Sequence, residues 1–369
     1  MLRRLSRQVG VFLSALLVAM PGPAMALPSQ APRPPEARRI VAIGDLHGDC
    51  SAWRDIARAA GLFDAKNRWA GGRTILVQNG DITDRGPDSL KIIRDLQRLQ
   101  REAARAGGRV VVLVGNHEAM NVTGDLRYVH PGEYAAFATR DSASLRASVY
   151  VANRERFEAA ARAQNPALTP EQVRDAWLKA TPLGMIEHQA AWRPAGELGE
   201  WTIGNPAVVM LGDSLFVHGG ISATYAAISI DEINRRVAAA LTAREIAPES
   251  IINDPMGPLW YRGLITRAKG VDDMPVAAAP GSSPAGPAPP PRPSIEAEID
   301  LVLKAYGARR IVIAHTPILS GIAVTHGGKL IRIDTGISKY YGGTLSYLEI
   351  NGDQVTPRTV SRSSARCAK

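Results

Sequence analysis

Short apolar runs, each followed by a polar corner, recur along the first third of the chain. Residues 40–43, 74–78 and 110–114 predict β-strands, and the third is buried on both faces because it is almost entirely valine. Between them, residues 51–60 and 88–106 repeat apolar positions at helical spacing and predict helices. This alternating order predicts an α/β fold with parallel strands.

The pattern changes from residue 124 to residue 199, where several helical segments follow one another. Thr169, Pro170 and Glu171 are typical of a helix start, with a cap, a proline at the first helical position and an acid in the first turn. Residues 124–199 therefore predict a helical insertion beside the main fold.

Strand and helix signals return after this insertion. A capping box that begins at Ser229 opens one predicted helix, and Ser294 caps another. The remaining predicted strands are residues 208–211, 215–217, 311–314, 330–333 and 345–350. Together these elements predict one domain over residues 38–355, followed by a flexible tail at 356–369.

Two segments fall outside the domain pattern. Residues 1–26 combine arginines, an apolar stretch too short to span a bilayer and a small-residue cleavage motif, which predicts a signal peptide. The mature protein is then periplasmic or secreted, without stable membrane insertion. Residues 275–293 contain eight prolines and predict a disordered surface loop inside the domain, because they offer too little apolar surface to order themselves.

Charge and cysteine content say a little about the substrates, the partners and a disulfide. The formal charge of +9 falls to +6 once the leader and its three arginines are removed, which suits anionic substrates. The sequence has no arginine-rich run and no repeated aromatic motif of the kind that would indicate a nucleic-acid partner. Export would permit a disulfide between the two cysteines, Cys50 and Cys367, but their separation in the chain leaves the pairing open.

Polar corners follow five of the predicted strands and contain four of the seven histidines. The corners are residues 44–48, 80–86, 115–118, 217–220 and 314–316. A single Gly-Asp corner is commonly only a turn. Five in order, carrying imidazole, carboxylate and amide groups, indicate a two-metal hydrolytic site.

These motifs resemble the calcineurin-like metallophosphoesterases of the phosphoprotein phosphatase family. Segments 115–129, 258–263 and 334–338 resemble more closely its Shewanella-like phosphatase branch. The resemblance covers roughly residues 38 to 350. It implies a β-sandwich of mixed sheets flanked by helices.

The resemblance also implies a set of metal ligands for two divalent ions, manganese first, with iron or zinc also accepted by such ligands. The first metal would take Asp45 and His47, Asp81 would bridge both metals, and the second would take Asn116, His218 and His315. A bridging hydroxide would attack phosphorus directly, without a phosphoenzyme.

Four further residues complete the implied site. Arg85 and Arg262 would bind the phosphate. His117 would protonate the leaving oxygen, and Asp84 would orient it.

The chain departs from the family pattern at two positions. Val114 stands where the animal-type enzymes carry arginine, so that phosphate contact is missing or comes from elsewhere, for which Arg127 is a candidate. Ala314 precedes His315 where glycine is usual, and its methyl group is small enough for the ligand to be retained.

The predicted function is hydrolysis of phosphomonoesters on protein or peptide side chains. Phosphotyrosine is favoured, because the branch tends towards it and Tyr128, Trp260 and Tyr261 can stack on a phenyl ring unless they are buried core. The alternatives are a nucleotide-directed hydrolase, such as a dinucleoside polyphosphatase, and a non-catalytic metal-binding module. Glu118 favours the phosphatase over the nucleotide-directed hydrolase. The presence of Asp84, Arg85 and His117 argues against the non-catalytic module, which needs neither a proton donor nor a phosphate-binding arginine.

Overall fold

The computed structural model describes residues 38–267, 292–363 and 367. The predicted signal peptide lies outside these residues, as does the predicted proline-rich loop except for Arg292 and Pro293. In the described residues the strands are β1 (Ile40–Ile43), β2 (Ile75–Gln78), β3 (Arg109–Val112), β4 (Val208–Leu211), β5 (Ser214–Val217), β6 (Arg310–Ile313), β7 (Ala323–Thr325), β8 (Leu330–Arg332), β9 (Ser346–Asn351) and β10 (Gln354–Thr359).

Helices surround these strands and fill the region of the predicted insertion. They are α1 (Cys50–Ala59), α2 (Ser89–Arg105), α3 (Asn116–Thr123), α4 (Pro131–Phe137), α5 (Ser142–Ala152), α6 (Arg154–Gln164), α7 (Pro170–Ala180), α8 (Met185–Trp192), α9 (Glu197–Ile203), α10 (Ile230–Ala243) and α11 (Ile295–Tyr306). None of the described helices is long and apolar enough to cross a membrane.

The strands form two mixed sheets. The first has the order β10-β9-β1-β2-β3, in which β1, β2 and β3 are parallel and β9 and β10 are antiparallel. The second has the order β4-β5-β6-β8-β7, with parallel strands at its centre and antiparallel strands at both edges. The predicted α/β class with mixed sheets is therefore confirmed.

The apolar core lies on both faces of the first sheet, because successive side chains of a strand point to opposite faces. Ile40 and Ala42 of β1 belong to an apolar cluster that also contains Phe216 and Val312 of the second sheet. Val41 of β1 instead packs in the cluster that contains the helices. The two sheets thus face each other as a sandwich with helices outside.

The helices α4 to α9 lie between α3 and β4, where the insertion was predicted. The helix start at Thr169 forms as expected: its hydroxyl accepts from the Gln172 N–H at 3.3 Å, and the Gln172 side chain accepts from the Thr169 N–H at 2.9 Å. The insertion also reaches the polar corners, since Thr83 donates its hydroxyl to the buried Glu133 of α4 at 3.0 Å.

The prediction of a flexible tail from residue 356 is wrong for the residues that the structure describes there. Strand β10 pairs with β9 along its whole length, and Cys367 forms a disulfide with Cys50. The β10 side chains are exposed or half-exposed, so the segment carries no apolar pattern that predicts a strand. Backbone hydrogen bonds to the free edge of β9 order it instead.

Candidate dinuclear metal site

The six predicted metal ligands meet at the carboxyl ends of parallel strands from both sheets. They follow β1 (Asp45 and His47), β2 (Asp81), β3 (Asn116), β5 (His218) and β6 (His315). Each side chain is buried, with at most 6% of the residue exposed. The fold therefore brings together in space ligands that are up to 270 positions apart in the chain.

Asp81 lies at the centre of this cluster. Its Oδ2 is 3.8 Å from His47 Nε2 and 3.3 Å from His218 Nε2. Potential ligand atoms of Asp81, His218 and His315 lie within 4.8 Å of one another, and those of Asp81, His47 and His117 form a second such group. Asp81 is shared by both groups, which is the arrangement that a bridging carboxylate requires.

Hydrogen bonds to backbone carbonyls fix how two of the imidazoles face the cluster. His47 donates from Nδ1 to the Thr83 carbonyl at 3.0 Å, and His218 donates from Nδ1 to the Asn79 carbonyl at 2.8 Å. Both Nε2 atoms then face the site with a free lone pair, as in metal-ligating histidines.

Two further features show that these residues fit cations. His218 Nε2 faces the Asn116 Oδ1 at 3.0 Å, and two such acceptors need a cation between them, a proton or a metal ion. His315 Nε2 is buried and has no hydrogen-bond partner among the described residues, which is costly unless a ligand satisfies it. Carboxylate, imidazole and amide oxygen suit manganese, iron or zinc.

The electrostatics of Asp45, His47 and His315 point the same way, whereas at His218 the carboxylate of Asp81 outweighs burial and raises the pKa of the imidazole. Burial and the neighbouring carboxylates of Asp334 and Asp81 raise the pKa of Asp45 well above its ordinary range. Burial also lowers the pKa of His47 to about 3 and that of His315 well below its usual value. Crowded buried carboxylates favour a bound cation, and neutral imidazoles are ready to ligate one.

The backbone at the corners is held in an unusual conformation. Positive φ angles occur at His47 (42°), Asp81 (54°), Asp84 (71°), Arg85 (63°) and His315 (65°). Such angles cost non-glycine residues about 1–3 kcal/mol each and persist only where the surrounding structure imposes them. The corners are thus preorganised by the fold.

Glu118 supplies much of this support, a role that its sequence position does not indicate. Its buried carboxylate accepts backbone N–H groups of Gly115 (2.9 Å), Asp81 (2.9 Å) and Ile82 (2.8 Å). It thereby ties the second polar corner to the third.

His117 and Asp84 form a buried pair beside the metal ligands. His117 Nδ1 lies 2.5 Å from Asp84 Oδ2, and Asn121, which the sequence did not single out, donates to Asp84 Oδ1 at 3.0 Å. Burial lowers the pKa of His117, but the carboxylates of Asp81 and Asp84 outweigh it and raise the pKa above its ordinary value. The Nε2 atom faces the site, 3.9 Å from Asp81 Oδ2.

Comparison with known proteins identifies the family. The family model described as calcineurin-like phosphoesterase matches residues 38–319. The chain belongs to this family. The predicted family and its hydrolase activity on phosphate esters are thereby confirmed.

Individual relatives support the same family assignment. The phosphoesterase is 32% identical over 324 residues to Shewanella-like protein phosphatase 2 of Arabidopsis thaliana, a match that spans 85% of this chain and 75% of that protein. It is 30% identical over 196 residues to Shewanella-like protein phosphatase 1 of Plasmodium berghei, across 53% of this chain and 42% of that one. The solved cold-active protein-tyrosine phosphatase of a psychrophilic Shewanella species shares the fold, with a TM-score of 0.59, 23% identity and coverage of 88% and 81%.

In this phosphoesterase, Arg85 lies at the rim of the cluster under three tyrosines. Its guanidinium carbon is 4.6 Å from the ring centre of Tyr128, 5.0 Å from that of Tyr340 and 5.3 Å from that of Tyr341. Its buried Nε has no hydrogen-bond partner in the described part of the chain, and its Nη2 is 3.5 Å from His117 Nε2. The guanidinium is therefore free to accept an anion next to the proposed proton donor.

Arg262 interacts with the same cluster although its side chain is exposed. Partial desolvation lowers its pKa, while the carboxylates of Asp81 and Asp45 oppose that shift. The phosphoesterase thus carries a second cation near the ligands. Arg127, the candidate for the missing phosphate contact, instead donates to Asp125 at 2.8 Å.

The structure decides for each aromatic side chain between the two alternatives, substrate-stacking rim and buried core. Tyr261 is 1% exposed and donates its hydroxyl to the buried Glu298, so it belongs to the core and cannot stack on a substrate. Trp260 is half-buried, with its indole N–H bonded to the Ile252 carbonyl. Tyr128 is 38% exposed at the rim, as predicted, and the sequence did not point to Tyr340 and Tyr341.

Proposed function

We propose that this phosphoesterase removes phosphate from phosphorylated protein or peptide side chains, using two divalent ions held by the six ligands, with manganese as the first candidate. The observation that carries the proposal is the position of Asp81 between two ligand groups, with Arg85 and His117 beside it. Relatives named as protein phosphatases support a protein substrate.

The chain's own residues would have the following roles in catalysis. When bound, the ions supply Lewis-acid activation of water and offset the charge of the phosphoryl group. Arg85 and Arg262 hold phosphoryl oxygens. His117 gives the proton on Nε2 to the leaving oxygen, and Asp84 holds the imidazole in its orientation and favours the charged form.

We further propose a preference for phosphotyrosine, supported by the tyrosine rings around Arg85 and by the name of a relative of the same fold, a protein-tyrosine phosphatase. Aromatic stacking contributes about 0.5–1.5 kcal/mol beyond burial of area, or about 2-fold to 10-fold in rate. We therefore expect kcat/KM on a phosphotyrosine peptide to exceed that on matched phosphoserine and phosphothreonine peptides by about that factor.

The control for this prediction is Tyr128→Phe, which keeps the ring, set against Tyr128→Ala, which removes it. Only the alanine variant should lose the preference. A clear serine or threonine preference in the wild type would contradict the proposal. Faster hydrolysis of dinucleoside polyphosphates would favour a nucleotide-directed enzyme instead.

We also propose that the protein is exported and cleaved after Ala26. The disulfide between Cys50 and Cys367 supports this, because disulfides persist mainly in oxidising compartments. Intact-mass measurement of the protein from a periplasmic or secreted fraction should give the mass of residues 27–369. A full-length product confined to the cytosol would refute export.

A further inference from the structure

Two adjacent tyrosines lie beside the proposed phosphate clamp without a core-packing role that accounts for both. Tyr340 is 62% exposed, and its ring meets that of Tyr341 edge-on at 5.0 Å. The Tyr341 ring lies 5.5 Å from the ring of His47, a metal ligand. Both rings also lie against the guanidinium of Arg85, so a ligand bound there would lie beside them.

Residues 337–341, the tyrosine loop, are held in place by a carboxylate at the start of α1. Lys339 donates its backbone N–H to Asp49 Oδ2 at 3.0 Å. Arg362 donates to the same oxygen at 2.8 Å and, from its other terminal nitrogen, to the Ile337 carbonyl at 2.6 Å. Arg362 therefore bridges Asp49 and the tyrosine loop.

Arg362 is itself fixed by contacts on both sides. Before it, Val360 donates its N–H to the Leu345 carbonyl at 2.8 Å. After it, Ser363 donates its N–H and hydroxyl to Asp55 at 2.8 and 2.7 Å. Further along, Cys367 is covalently bonded to Cys50, the first residue of α1.

The contact between Arg362 and Asp49 is an ion pair with a buried carboxylate. Asp49 is buried, with 6% of the residue exposed, and the arginine forms a charge-assisted hydrogen bond to it. Removing the guanidinium leaves a buried carboxylate without its cation and the Ile337 carbonyl without its donor. The tyrosine loop would then lose the tie through Ile337 and keep the Lys339 N–H bond to Asp49.

We propose that Tyr340 and Tyr341 determine specificity for aryl phosphates, and that Arg362 is the positioning residue that keeps them over Arg85. The inference rests on the proposed function. A phenyl ring whose phosphate is bound at Arg85 can stack on these tyrosines, whereas phosphoserine has no ring that could do so. The C-terminal segment thus acts on substrate choice through the tyrosine loop, without touching the reacting atoms.

The test compares kcat and KM of metal-loaded variants on phosphotyrosine and phosphoserine peptides of otherwise identical sequence. Tyr340→Ala should remove most of the expected preference of about 2-fold to 10-fold, and Tyr340→Phe should keep it. Arg362→Ala should raise KM for the phosphotyrosine peptide several-fold and leave kcat/KM for phosphoserine nearly unchanged. Arg362→Lys should fall between, because lysine can reach one acceptor but lacks the planar fork for two.

Two further variants test whether selectivity depends on the anchoring of the C-terminal segment. Cys367→Ser should change selectivity in the same direction as Arg362→Ala, because it removes the covalent anchor. Arg358→Ala removes an exposed arginine of β10 that pairs with Glu349, and it should leave selectivity as in the wild type. Thermal melting of each variant shows whether the fold is retained.

The outcomes separate the inference from the proposed function. Equal losses on both peptides, or an unchanged preference in Tyr340→Ala and Arg362→Ala, would overturn the specificity role while the enzyme remains a phosphatase. If the metal-loaded wild type hydrolysed neither peptide, the proposed function itself would fail.

Discussion

Asp81→Asn should abolish high-affinity binding of both metal ions at once and reduce phosphatase activity to background. The carboxylate is shared by the two ligand groups, so its charge offsets the repulsion between two cations. Asparagine keeps the shape of the side chain and an oxygen that can accept from the His117 N–H, a bond now 3.0 Å long. The variant therefore removes the charge with little disturbance of the fold.

Metal content per chain, measured by emission spectroscopy after equilibration with manganese, checks this prediction. Asn116→Ala is the comparison, because the Asn116 Oδ1 lies 3.0 Å from His218 Nε2 of one group and its loss should weaken mainly one ion. Retention of two ions at wild-type affinity in Asp81→Asn would show that Asp81 is not the bridging ligand.

His117→Ala should produce the second large effect, and its size should depend on the leaving group. A poor leaving group needs a proton as the bond to phosphorus breaks, and general acid catalysis is typically worth about 10²–10⁴-fold. We expect a loss of that order on an alkyl phosphate and a much smaller one on a nitrophenyl phosphate. Steady-state rates of the metal-loaded enzyme on the two esters measure the difference.

The neighbouring acid provides the control for this experiment. Asp84→Asn keeps a hydrogen-bond partner next to His117 Nδ1 but removes the charge that favours the protonated imidazole. It should therefore give a smaller loss with the same dependence on leaving group. Equal losses on both esters in His117→Ala would assign His117 another role, such as that of a metal ligand.

The local sequence determined most of the secondary structure and the identity of the candidate ligands. Buried parallel strands require continuous apolar runs, so β1, β2 and β3 were visible in the pattern. Polar residues directly after such runs lie at the carboxyl end of a sheet, where sites form. For that reason the corners at Asp45, Asp81 and Asn116 could be recognised without coordinates, and their motifs led to the family.

Only the tertiary structure decided how the parts meet. The sandwich brings His218 of the second sheet to 3.3 Å from Asp81 of the first, a distance that no local pattern contains. Side-chain burial placed Tyr261 in the core and left Tyr340 at the rim, because exposure depends on neighbours remote in the chain. Strand β10 and the disulfide to Cys50 likewise depend on non-local partners, β9 and the start of α1. The sequence by itself thus determined the chemical groups and the strands that carry them, whereas contacts between distant segments decided their geometry and surroundings.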